Sequence, residues 1–177
     1  GSEASNLRLW FWHRSPLSGK VHKPPPDPWA SPDQIRACPS PWQIADIFPK
    51  VFSPDPKVSG AAKETVARLV RSLPVRDYAR LDVLFREITE GYRGYASGGL
   101  LLEPSHLERL VEGPPEPLVP LLGVCSFHRS GYVREASVKR LAESLTGEEL
   151  PFLLLRVMDW VEPVRKRALR AVELRFT

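Results

Sequence analysis

The chain has 177 residues, 42% of them hydrophobic, which suffices for one domain, or one domain with an appended segment, and excludes wholesale disorder. A formal charge of +4, mostly from arginine, permits contact with nucleic acid or an acidic protein surface and requires neither. Two cysteines without framework spacing, Cys38 and Cys125, exclude a disulfide scaffold and point to a reducing, cytoplasmic setting, and no apolar run approaches the ~20 residues of a membrane helix.

Residues 1–30 read as an extended, Pro-rich arm. Eleven of the 19 prolines precede residue 60, and Lys23-Pro24-Pro25-Pro26-Asp27-Pro28 must be extended, because each ring fixes φ and removes a donor. Gly1-Ser2 reads as a tag remnant. Within the arm, Leu7–Trp12 is a dense apolar patch with two readings: it folds back onto the body, or it is a docking peptide for another protein.

Residues 31–112 read as irregular or diverged helical hairpins. Ser31-Pro32-Asp33-Gln34 offers an N-cap, a proline in the first turn and a capping-box Gln, and Ser40-Pro41-Trp42-Gln43 repeats the device. The second start predicts a helix carrying Trp42, Ala45, Phe48 and Phe52 on one side, kinked at Pro49. Ala61–Leu73 follows at helical spacing. Val75–Glu90 is amphipathic, with Leu81, Leu84, Phe85 and Ile88 inward and Asp82, Glu87 and Glu90 on a solvated face. Gly91–Gly99 reads as a loop, and Ser105-His106-Leu107-Glu108 as a capping box opening a short helix to about Glu112. No strand alternation is evident.

The last third repeats. Shifted by 31 positions, the sequence overlays on itself without a gap: Pro120 meets Pro151, Leu121 meets Phe152, Val133-Arg134 meets Val164-Arg165, and Leu141 meets Val172. Matching apolar positions at a fixed period mark a unit that buries its face only by stacking on a neighbour. Each unit reads as helix, tight turn, helix. Thr146-Gly147-Glu148-Glu149 should cap the first helix of the second unit, and Pro163 should sit in the first turn of its second helix. Val133, Ser137 and Leu141, and likewise Val164, Ala168 and Val172, should form the buried stripe. The ending Arg175-Phe176-Thr177 falls inside an apparent helix, which predicts a fragment of a longer protein.

Residues 113–177 resemble two HEAT repeats. The carrying residues are Pro151, Asp159 and Val164-Arg165, with Pro120 and Val133-Arg134 in the preceding unit, where His128 replaces the Asp. The resemblance implies a mainly α, right-handed superhelical solenoid of helical hairpins. It gives Arg134 and Arg165 a structural role at the turns, so His128 should weaken one Arg contact within its repeat. It also implies a protein-binding scaffold working through its concave face.

Stacking would align Lys139 with Arg170 and Glu135 with Lys166. Lys139, Arg140, Lys166 and Arg170 then make either a modest positive ridge or a plain solvated helix face, and Trp160 at the turn is either an exposed aromatic anchor or packed against the next repeat or the N-terminal arm. These five are the candidate partner-binding residues, for a protein partner or, alternatively, for nucleic acid gripped by the basic ridge. No catalytic constellation assembles. Cys125 and His128 are three apart, but a Cys on a repeat helix reads as a small core residue. His13, His22, His106 and His128 lack metal-ligand spacing. Neither an enzyme, nor a cofactor, nor a metal site is expected.

Overall fold

The computed structural model describes residues 26–89 and 102–177. They form nine α-helices and three short 3₁₀ turns, with no strand among the described residues. The Leu7–Trp12 patch, the Gly91–Gly99 loop, Glu90 and the Ile88 side chain lie outside the description. No described helix is long and apolar enough to cross a membrane.

The N-terminal helices begin where side chains can satisfy free amides. Ser31 caps α1 (Pro32–Arg36) with a complete capping box through Gln34. Ser40 accepts from the Trp42 amide, but only a 3₁₀ turn follows, then α2 (Ile44–Ile47) and a second 3₁₀ turn over Phe48–Phe52. The expected kinked helix is thus three short pieces, because Pro49 lacks the N–H that would continue the helix. Asp55 caps α3 (Pro56–Ser72) from a proline-led first turn. A 3₁₀ turn, Val75–Asp77, precedes α4 (Tyr78–Thr89). The end of the Pro-rich segment is tied to this body: Asp27 accepts from Lys50, and Trp29 packs on the core.

The C-terminal helices are α5 (Pro104–Val111), α6 (Leu118–Cys125), α7 (Gly131–Glu143), α8 (Leu150–Arg156) and α9 (Glu162–Glu173). Two expected caps moved. The amide at the start of α5 is taken by His106, which accepts from the Glu103 backbone N–H at 2.9 Å, so the helix begins before Ser105. Thr146 caps a turn instead of a helix: it accepts from the Glu148 amide and donates to the Glu149 carboxylate, Gly147 holds φ +86°, and α8 starts only at Leu150. Pro163 does sit in the first turn of α9, which stops at Glu173 and does not run through Thr177.

Neighbouring helices pack as α6 on α7 and α8 on α9, while α7 lies against both α5 and α9. On the other side α3 packs on α6, and α4 on α8. Helix α6 is therefore enclosed, with Val119 through Cys125 all buried. That explains an apolar sequence with no polar face.

Candidate functional site

The two hairpins share their turn chemistry atom for atom. Arg134 Nη1 donates to the His128 carbonyl at 3.0 Å, and 31 positions on, Arg165 Nη1 donates to the Asp159 carbonyl at 2.8 Å. His128 Nδ1 accepts from the Ser130 amide at 3.1 Å; Asp159 Oδ1 accepts from the Val161 amide at 2.9 Å. The His128 imidazole thus replaces the turn aspartate without loss of the bond that closes the turn. Within the first unit Arg134 keeps its bond to the turn carbonyl, and the carboxylate it pairs with comes from the next hairpin.

Arg134 donates from Nε to Asp159 Oδ2 and from Nη2 to Oδ1, both at 2.9 Å, with both side chains fully buried. Arg156 adds a bond to Asp159 at 3.3 Å, another to the Ser126 carbonyl at 3.0 Å, and a third to Asp82 on α4. Asp82 also accepts from Arg86 at 3.0 Å. The result is a mostly buried chain of alternating charge, Arg86–Asp82–Arg156–Asp159–Arg134, pinning α4 and both hairpins together. Asp82 is therefore not on a solvated face as its sequence position suggested.

Burial alone would raise the Asp159 carboxyl. Hydrogen bonds from Arg134 and the Val161 amide, with the charges of Arg134 and Arg156, overcome it and hold the group below its ordinary 3.8. Burial pulls Arg156 below the usual arginine range against the pull of Asp82 and Asp159, and its Nε is buried without a hydrogen-bond partner.

The expected stripe is in place for Val133, Ser137, Leu141, Val164 and Ala168, all fully buried. Val172 is only half-buried, and Ala171 points inward in its stead. Among the described residues no further helix packs on the far side of α9, which leaves it one face to bury instead of two.

The five candidate binding residues divide. Trp160 is 74% exposed, and one face of its ring lies 5.4 Å from the Arg134 guanidinium carbon. Lys139 and Arg170 are exposed on α7 and α9. Arg140 instead bridges helices, donating to Glu108 on α5 at 2.9 and 2.7 Å and to Glu143 at 3.2 Å. Lys166 pairs with Glu162 at 2.5 Å. Arg167, absent from the expected set, crosses from α9 to Glu135 on α7 at 2.7 Å. The basic ridge is thus partly neutralised by the protein's own carboxylates. Sequence reading also passed over Tyr132 and Met158, both exposed, and over the meeting of the two turns, where Gly131 packs on Val161.

Cys125 is fully buried, and burial pushes its thiol far up. No known protein family, no curated protein and no solved structure matches this chain.

Proposed function

We propose that this chain is a HEAT-like helical-repeat module that binds a protein partner through the turn edge of its two C-terminal hairpins, with Trp160 as the anchor. The supporting observation is the setting of Trp160. Its ring is solvent-exposed yet backed by an arginine that four hydrogen bonds of 2.7–3.0 Å fix in place. An exposed large aromatic held in one orientation loses little freedom on binding, which is the property of an interface hot spot. Tyr132, exposed in the first turn of α7, is a second aromatic of the kind interfaces favour. Lys139 and Arg170 lie exposed farther along α7 and α9, where charge speeds encounter more than it strengthens binding.

The test is affinity capture with the intact chain, read by mass spectrometry beside Trp160→Ala and the surface control Glu173→Ala. Partners retained by the parent and the control but lost with Trp160→Ala support the reading; equal retention by all three sinks it. The second reading, a nucleic-acid grip through Lys139 and Arg170, is weakened by the pairing of Arg140 and Lys166 with carboxylates. Duplex binding that weakens steeply with salt and disappears in Lys139→Glu/Arg170→Glu would favour it.

A further inference from the structure

The first hairpin shows what covers a hairpin of this kind. Its Phe127 is fully buried, with the Phe152 ring 5.9 Å away and the Arg156 guanidinium 5.8 Å away, both from the second hairpin. Its Val138 is fully buried on α7, against which α9 packs. Its Arg134 receives the second hairpin's turn aspartate. The second hairpin repeats all three positions uncovered. Met158, in the place of Phe127, is 85% exposed, and Leu169, in the place of Val138, is 43% exposed. Arg165, in the place of Arg134, makes the same bond to its own turn and has no ion pair with a carboxylate among the described residues.

We propose that this far face of α8 and α9 docks a helical hairpin from a partner chain, one that carries an aspartate or glutamate at its turn to pair with Arg165. The occupant is defined by continuity with the contact already made between the two hairpins and by charge. On α9 Lys166 is paired with Glu162 and Arg167 with Glu135, which leaves Arg165 and Arg170 without an ion pair among the described residues, so a second copy meeting this face would oppose like charges. Size adds a constraint. Gly123 leaves room for Phe152, whose ring atoms lie 2.4 Å from where a Cβ would stand, whereas Leu154 fills the equivalent place and is 50% exposed. The partner hairpin therefore carries a residue smaller than phenylalanine at the position that meets Leu154. This face is separate from the Trp160 edge, and either reading stands if the other fails.

Met158 is the chain's one methionine, which gives a site-specific reporter. The probe is a copy of residues 146–177 carrying Phe152→Ala, appended to the intact chain through a flexible Gly/Ser linker of about 20 residues, which sets an effective concentration near the millimolar range. Docking is read from the Met158 methyl resonance and its rate of oxidation by peroxide, with the methionine of the copy replaced by leucine. The expected result is a shifted methyl signal and oxidation slowed at least about fivefold, as burial blocks access to the sulfur. Asp159→Asn in the copy alone, or Arg165→Leu in the parent half alone, should weaken docking at least about tenfold, because each removes one partner of a bidentate charged pair. An unchanged Met158 signal, or docking indifferent to both substitutions, overturns the proposal. So does a parent chain that sediments as a dimer with Met158 protected, or Met158 oxidation that accelerates when residues 1–25 are deleted; those results assign the face to a second copy or to the chain's own arm.

Discussion

Arg134 and Asp159 belong to different hairpins yet form a two-pronged ion pair that water does not reach, with both bonds at 2.9 Å. Every remaining polar atom of the pair points at a turn: the Arg134 Nη1 at the His128 and Arg129 carbonyls, the Asp159 Oδ1 also at the Val161 amide. The pair joins one turn to the next. Removing one member leaves the other charged and buried, so Asp159→Ala should destabilise the protein by about 3–5 kcal/mol in chemical denaturation. A loss under about 1 kcal/mol would mean that water reaches the pair. A double-mutant cycle with Arg134→Leu should show strong coupling.

The same carboxylate sets a pH dependence. The folded state holds Asp159 below 3.8, so as pH falls the unfolded chain takes up this proton first. Its contribution is complete above the ordinary carboxylate range and is lost as pH falls through the depressed folded value. Glu149 works in the same sense: burial raises it, but its backbone bond and those from Arg175 and Thr146 hold it down. Denaturation midpoints should therefore be level near neutrality and fall below about pH 4, and the fall should be shallower in Asp159→Asn. Parallel curves for parent and variant would remove Asp159 from the account.

Gly123 is a packing requirement. A methyl group there would meet the Phe152 ring at 2.4 Å, well inside contact distance, and Tyr78 stacks against the same ring at 4.9 Å. Gly123→Ala should cost about 1–3 kcal/mol through overpacking, although alanine is the better helix former. Phe152→Leu in the Gly123→Ala background should recover part of that loss, which thermal unfolding of the four-member cycle would measure. Strict additivity would show that the ring moves aside freely.

Leu141 and Val172 occupy the same place in consecutive hairpins but differ in burial. Leu141→Ala should destabilise by about 2–5 kcal/mol, since the site is enclosed by packed helices. Val172→Ala, at a half-buried site, should cost about 1 kcal/mol or less. Equal effects, read from urea midpoints at constant m-value, would mean that the far face of α9 is already covered in solution.

The helical class and the stripe through Val133, Ser137, Leu141, Val164 and Ala168 could be read in the sequence because they rest on local periodicity. The charge chain could not, since Asp82 and Arg156 lie 74 positions apart and nothing in the spacing of either announces the other. Glu108 and Arg140 escaped for the same reason: a cation on a helix surface reads as free until the neighbouring helix is placed. The moved caps have a different cause. Ser105 and Thr146 sit in valid capping patterns, but α5 begins at Pro104 with His106 accepting from the Glu103 amide, and Thr146 closes a turn through the Glu148 amide, so α8 begins only at Leu150. Val172 was misjudged because a repeat pattern assumes a neighbour on both sides.

Helix α6 is short and carries both Pro120 and Gly123, so alone in water it would not persist. It exists because α3, α5 and α7 close around it. No partial opening exposes its backbone without parting those helices, so the Leu122 and Val124 amides should be among the last to exchange with deuterium, at a rate set by whole-molecule unfolding. The region that looks least helical by composition then becomes the natural clock for global stability, while the surfaces at Trp160 and Met158 can adjust without disturbing it.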